Sequence, residues 1–555
     1  MIILRLTVLL LNLKGSVPLR IVKILLCITL LISSVPFIAS CKQKKQDPAD
    51  EIIKYNITYE PDTLDPQIAN DSASRLIILN IFEGLTRIDS DEKAGAGVAE
   101  FWNISDNEKT YTFYLRENAR WSNGDPVTAE DFRYGLTRTI MPSTGSPTAS
   151  ELFCIKNAEK VNKGELKISD LGITVIDEHT IKIELEYPQS DFLELLATAP
   201  AMPCNKKFFE STRGQYGRED DKLISNGAFY VRESGWEHDK YIYLRKNPKY
   251  AGKDKPVPAG VNISISESPR SVCDAILSGD IDCYALPASE LKRAKENEFN
   301  LTSFGDTVWG ISFNSQNEVL SHKEIRYAMF TALDRDYILK ELPEGCISTK
   351  YIISDAAKLN NSSYRSKADE NIFIPYSKTA SSDLQNAMKK LKIDSLPKLT
   401  ILCTDDEATG SIVNNIIETW NKTTGGYINK RPVSEAELKD SVYSGEYRVV
   451  IAPLIASGDS PINTLSLFTS DSKYNPACLN DPVYDSMITD LAKLPERNSP
   501  EKNVEAEKYL NDNGVFYPLF IESRYYACSP DLTGVIFHPY GAEVDFFYAA
   551  KVYEN

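Results

Sequence analysis

The chain has 555 residues, 42% of them apolar, and a formal charge of −16. That is ample for a large core and too long for one compact domain, so two or three lobes are expected. An acidic body of this kind excludes a nucleic-acid partner bound by phosphate neutralisation.

Residues 1–40 carry four basic side chains (Arg5, Lys14, Arg20, Lys23) and no acidic one, and the apolar run Ile24 to Ile38 leads into Ala39-Ser40-Cys41. A basic start, a short apolar stretch and a small-residue junction predict an export signal over 1–40. The run is too short to be read best as a spanning helix. The junction FIASCK, Phe37 to Lys42, resembles a bacterial lipobox, which implies cleavage and lipidation at Cys41; an ordinary secretory signal with a chance cysteine is the plainer alternative. Losing 1–40 takes the formal charge from −16 to −20. Residues 41–51, with Lys42, Lys44 and Lys45, then read as a tether suited to anionic headgroups or to plain solvation.

The folded body begins at IIKYNITYEPDTLDP. Strand-like alternation at Thr110–Arg116, Thr180–Glu186 and Tyr241–Arg245 is interleaved with helical patterns such as HKEIRYAMFTALDRDYILKEL and TGSIVNNIIETWNK, which gives a mixed α/β class. In the first of these helices Ile325, Met329, Leu333 and Ile338 recur on one face, a packing stripe.

The stretch WSNGDPVTAEDF, Trp121 to Phe132, follows a strand in which Tyr111, Phe113 and Leu115 alternate with polar residues. Asn123-Gly124 supplies a positive-φ turn. Thr128 stands three residues before Asp131 as the cap of a new helix, and Val127 and Phe132 flank it as a hydrophobic staple. The acids Asp125, Glu130 and Asp131 are therefore read as turn and capping groups, not as a general acid/base pair.

Eight cysteines follow the tether, widely scattered and without a C-x-x-C, and the four histidines (His179, His238, His322, His538) are far apart with no H-E-x-x-H. No metal site and no cofactor is expected. An exported compartment permits disulfides, buried thiols are the alternative, and spacing does not choose. A serine acyl enzyme is the rival of another class: Ser289-x-x-Lys292, Ser105-Asp106-Asn107 and Lys422-Thr423-Thr424-Gly425 loosely follow its three motifs. Their order is wrong and the third carries an extra threonine, so catalysis is not expected. No phosphate-binding G-x-x-x-x-G-K-[ST] loop is present.

TFYLRENARWSNGDPVTAEDF closely resembles the hallmark segment of the periplasmic oligopeptide-binding proteins, the family 5 solute-binding proteins of ABC importers. Further blocks follow in the family's order: TLDPQIANDSASRLIILNIFEGL, LGITVIDEHTIKIELEYPQSDF, ISNGAFYVRESGW, LRKNPKY and ISFNSQNEVLSHKEIRYAMFTALDRDYI. The resemblance covers nearly all of 52–550. It implies a two-lobed clamshell of the type II, cluster C kind, α/β in class, with an extra subdomain in the first lobe. Residues 52–82, 206–307 and 522–555 would form the main part of lobe I, 83–205 its extra subdomain and 308–521 lobe II. It further implies an exported, monomeric, lipid-anchored binding component that takes up an extended peptide by strand addition and passes it to permease and ATPase subunits on other chains. That places it on the periplasmic side of the inner membrane, or on the outer surface of a single-membrane bacterium.

At the implied ligand contacts the sequence departs from the family. The aspartate that usually holds the peptide's α-ammonium falls at Ser457, within YRVVIAPLIASGDSPINTL, with Asp459 two residues on. A hydroxyl alone cannot replace a buried charge partner. An aromatic wall of the family's cleft falls at Glu435, and its carboxylate-binding cations fall near Ile451 and Gly410. Asn70, Asp71, Ser72 and Thr148 are cleft-lining candidates, with loop capping as the alternative. The expected ligand is an oligopeptide; a dipeptide, muropeptide, nickel complex or other small solute on the same scaffold is the alternative.

Overall fold

The computed structural model describes residues 51–89, 93–189, 191–342, 345–359, 362–368, 371–456, 458, 460–494, 500–538 and 544–552, without the side chains of Glu407 and Ala408. Cys41, Ser457 and Asp459 lie outside the described residues.

The body enters through β1 (Ile52–Ile57) and α1 (Ser72–Ile81). An antiparallel sheet follows, made of β2 (Ala99–Ile104), β3 (Thr110–Leu115), β4 (Ile173–Asp177) and β5 (Thr180–Glu184) in the spatial order β2-β3-β5-β4. Helix α2 (Ala129–Ile140) lies between β3 and β4 in sequence. The chain then returns to β1 with β6 (Phe229–Glu237), β7 (Tyr241–Lys246) and β8 (Gly260–Ile265), giving the order β1-β8-β7-β6 with β1 and β8 parallel. In β3 the alternation does what period two requires: Tyr111, Phe113 and Leu115 are buried and the residues between them are half-exposed.

A third sheet contains β9 (Cys283–Leu286), β10 (Asn300–Phe313), β11 (Thr400–Thr404), β12 (Asn429–Val433), β13 (Val449–Leu454) and β14 (Phe516–Cys528). Its spatial order is β9-β14-β10-β13-β11-β12, and the short strand Cys346–Ser348 also pairs with β14. Helices α3 (Lys323–Thr331), α4 (Glu407–Thr424) and α5 (Glu435–Ser444) belong to this half of the chain.

β10 and β14 are the long strands, and they feed several cores. β14 gives Tyr526 and Cys528 to a core built from β1–β8 and the C-terminal segment, and gives Tyr517, Leu519 and Phe520 to a second core with Trp309, Ile311 and Phe313 of β10. A pair of strands shared in this way is a crossing between two packed bodies.

The segment predicted as a single helix from His322 to Leu342 is broken. α3 stops at Thr331, and a short helix starts again at Arg335 behind Asp334, whose side chain accepts from the Asp336 N–H at 3.2 Å. Ile325, Met329, Leu333 and Ile338 are all buried nonetheless; the packing stripe survives because the restart follows a cap.

WSNGDPVTAEDF folds as strand end, turn and capped helix. Gly124 has φ +100°, where a side chain is strained. The Thr128 hydroxyl accepts from Asp131 N–H at 3.4 Å while the Asp131 carboxylate accepts from Thr128 N–H at 2.9 Å. That carboxylate also accepts from the indole of the buried Trp121 at 3.2 Å. Burial pushes the Asp131 carboxyl up to about 6, against the hydrogen bonds from Thr128 and Trp121 that lower it. The loop is pinned to the chain's later return by the Ser122 N–H donating to Ser225 C=O at 2.7 Å and by Lys249 Nζ donating to Ser122 C=O at 2.8 Å. The acids of this stretch are absorbed by scaffold.

Among the described residues no helix is long and apolar enough to cross a membrane, and no cluster of His, Cys, Asp and Glu has a metal-holding arrangement. No disulfide joins the eight described cysteines in this structure.

Candidate functional site

The ladder between β10 and β14 slips twice: once between Trp309 and Gly310, and once before that, where Phe304 faces Arg524 and Thr307 faces Glu522, so that Gly305 and Asp306 bulge from the register. A bulge re-aims side chains, and here Asp306 meets Arg524 in an ion pair in which the carboxylate is buried. Three residues on, the indole N–H of Trp309 donates to Glu522 Oε2 at 2.6 Å, and its ring stacks on Phe520 with centroids 6.0 Å apart.

These residues form one wall of an open recess enclosing about 1070 Å³ of non-atom space, part of it solvent. The opposite walls are the first turns of α5 (Glu435, Leu438, Lys439), the end of β13 running into Ile455 and Ala456, and Tyr474. α5 is aimed by its N-cap Ser434, which accepts from Glu437 N–H at 3.3 Å. Tyr474 is fixed by donating its hydroxyl to the Pro453 carbonyl at 2.7 Å, which leaves its ring to the recess. The recess thus has an aromatic and aliphatic lining with carboxylates at Glu522 and Glu435, the usual make-up of a small-molecule site.

Three carboxylates, Asp306, Glu435 and Glu522, and two cations, Lys439 and Arg524, line the recess. Burial pushes the Glu522 carboxyl above its ordinary range, and the neighbouring Glu435 and Asp406 push the same way, against the Trp309 hydrogen bond and Arg524. Burial also raises Asp406, but hydrogen bonds from Thr404 and Thr409 outweigh it and hold that carboxyl below its ordinary range. Arg524 is committed to Asp306, and no ion pair joins Glu522 or Glu435 to a cation among the described residues. A carboxylate raised by like charges gains most from a bound cation.

Of the residues singled out in the sequence, the structure brings Glu435 to the recess. Asp71 caps α1, accepting from Ser74 N–H at 2.8 Å, and the Ser72 hydroxyl shares a hydrogen bond with Tyr59 Oη at 2.5 Å. Asn70 offers its carbonyl to Arg75 at 3.1 Å, and Thr148 is buried with its hydroxyl 3.2 Å from that of Ser146. None of these four lines the recess. Ile451 is a core residue of β13 facing Ile311, and Gly410 sits on α4 with its carbonyl 3.4 Å from Lys430 Nζ. Ser457 and Asp459 follow the described wall residue Ala456 but are not themselves described. Sequence reasoning missed Asp306, Trp309, Tyr474, Glu522 and Arg524. The signal for two of them was there: Glu522-Ser523-Arg524 interrupts the apolar strand FYPLFIESRYYAC.

The motifs of the acyl-enzyme rival are spread over separate elements. Ser289 lies in a short 3-10 turn, the Ser105 hydroxyl bonds Asn107 at 2.6 Å in the β2–β3 turn, and Lys422 pairs with Glu418 at 2.5 Å along α4.

Residues 93–476 match the model of the bacterial extracellular solute-binding proteins, family 5 (middle region). The chain belongs to this family. Family 5 relatives run along almost its whole length: the oligopeptide-binding protein OppA of Bacillus subtilis is 28% identical over 540 residues, covering 93% of this chain and 96% of that one. The dipeptide-binding protein DppE of the same organism is 25% identical over 516 residues, covering 92% and 93%. Among solved structures, the substrate-binding domain of an oligopeptide ABC transporter from Bacillus anthracis superposes with a TM-score of 0.70 at 26% identity, covering 91% of this chain and 99% of that one. The fold of this family 5 member is accordingly a mixed α/β, two-lobed periplasmic-binding clamshell.

Proposed function

We propose that this protein is the membrane-anchored binding component of an ABC importer, which captures oligopeptides between its lobes and delivers them to permease and ATPase subunits on other chains. Residues 52–82, 206–307 and 522–555 form lobe I, 83–205 its extra subdomain and 308–521 lobe II, with closure by hinge motion at the crossing strands. One observation carries the ligand reading: the recess beside the hinge places two carboxylates, Glu522 and Glu435, that no ion pair joins to a cation among the described residues, beside the aromatic rings of Trp309 and Tyr474. It supplies the negative charge that Ser457 does not, so a cationic group of the peptide, the α-ammonium or a basic side chain, binds there. Peptide backbone pairing supplies the affinity common to all sequences.

Mass spectrometry of ligand released by denaturing the purified protein tests this reading. A mixture of peptides, enriched in free amino termini or basic residues, is the expected result. A single metal complex or a sugar overturns it. The anchor is tested apart from the ligand: Cys41→Ser moves the protein from the membrane fraction to the soluble one, and unchanged detergent partitioning refutes lipidation at that residue.

A further inference from the structure

Cys283 opens β9 and Cys528 closes β14, and the antiparallel register sets them directly opposite each other. The next pair outward, Asp282 and Ser529, is joined by the Ser529 N–H donating to the Asp282 carbonyl at 2.8 Å. Because hydrogen-bonded and open pairs alternate along an antiparallel ladder, Cys283 and Cys528 form an open pair. There the Cα atoms stand about 4.5 Å apart, within the window of about 4.4–6.8 Å that a disulfide requires. Both side chains are buried in one core, against Tyr55 of β1. Among the described strand residues no other two cysteines are register partners.

We propose that Cys283 and Cys528 are a modification site, a cross-strand disulfide that staples β9 to the lobe I end of the hinge strand β14. The two residues are 245 positions apart, and the loop that the bond closes contains β10 to β13 and the whole second core. The bond ties the end of β14 to β9 and closes a long loop, and a cross-link restricts the unfolded chain more as the loop it closes lengthens. The bond forms by exchange with a disulfide oxidant such as oxidised glutathione. One cysteine thiolate attacks the oxidant, giving a mixed disulfide and one released thiol. The second thiolate attacks the protein sulfur and releases the other thiol, so two cysteine protons are lost and the oxidant takes up two electrons. The Cys528 thiol and burial push the Cys283 thiol well above its ordinary range in the folded protein, which places the exchange before the strands are buried.

The test refolds the full chain in reduced and oxidised glutathione, then unfolds it in guanidinium with iodoacetamide so that buried free thiols are blocked as well, and maps unreduced digests by mass spectrometry. The expected result is a Cys283–Cys528 linked peptide with the other described cysteines alkylated. The thermal midpoint of the oxidised protein should then fall on reduction, by about 5 °C, and the Cys283→Ser/Cys528→Ser variant should show no such response. Alkylated Cys283 and Cys528 in folded protein, or either one linked to a different cysteine, overturns the proposal. The mapping is done on the wild-type chain, so it decides the matter even if the double variant does not fold.

Discussion

Arg138→Met lowers the unfolding free energy by about 3–5 kcal/mol, the size of effect seen when one partner of a buried ion pair is removed. Arg138 stands in the last turn of α2, its side chain 7% exposed, and Asp65 opposite is 3% exposed. The guanidinium donates to both Asp65 oxygens at 2.7 and 3.1 Å and to Gln67 Oε1 at 2.7 Å, and lies 3.8 Å over the Phe209 ring. Methionine keeps much of the packing but leaves a carboxylate and an amide oxygen in a dry site without their donor. Urea unfolding of wild type, Arg138→Met and Arg138→Met/Asp65→Leu measures it. The double variant should recover part of the loss, because the cost is that of the orphaned carboxylate. A loss below about 1 kcal/mol in the single variant would mean that water or a neighbour satisfies Asp65.

Glu522→Gln weakens binding of a cationic peptide about a hundredfold, within the 2–5 kcal/mol range for removing a desolvated charge opposite a bound one. Glutamine still accepts the Trp309 indole hydrogen bond, so the change isolates the charge. Glu435 is exposed, and Glu435→Gln should cost only a few-fold. The pH dependence fixes the sign. In the unliganded protein burial and the neighbouring acids hold the Glu522 carboxyl above its ordinary 4.5. A cation binds the ionised form, so affinity falls as pH drops through that raised value, and binding below it releases a proton. For the stability of the unliganded protein the sign is opposite: the contribution of this group is full below 4.5 and is lost as pH rises through the raised value. Calorimetry with matched peptides, one with a free amine and one acetylated and lacking basic residues, reads both effects. Equal losses for the two peptides would remove Glu522 from the site. The same pair of peptides on Asp459→Asn decides which carboxylate meets the amine.

How much of this was legible in the chain depends on the range of the interaction. The capped helix after WSNGDP was readable because every contact that defines it, Thr128 to Asp131 and the Gly124 turn, lies within a few residues. The same locality misled at HKEIRYAMFTALDRDYILKEL, where periodicity continues through a break made by Asp334. Asn70, Asp71, Ser72 and Thr148 show the converse: polar residues in loops read equally well as ligand contacts or as caps, and the structure commits Asp71 to its helix.

The chain alone was enough for the mixed α/β class, the family through blocks in a fixed order and the absence of a zinc-type spacing. Tertiary structure alone decided that Glu435 shares a recess with Glu522 and Trp309, and that Cys283 faces Cys528. The cause is long range: Trp309 and Glu522 meet through the twice-shifted register of two strands more than 200 residues apart, and Cys283 meets Cys528 through the register of β9 on β14. A side chain's partner across a sheet is set by that register, and a shift of one residue would turn each of them to the other face.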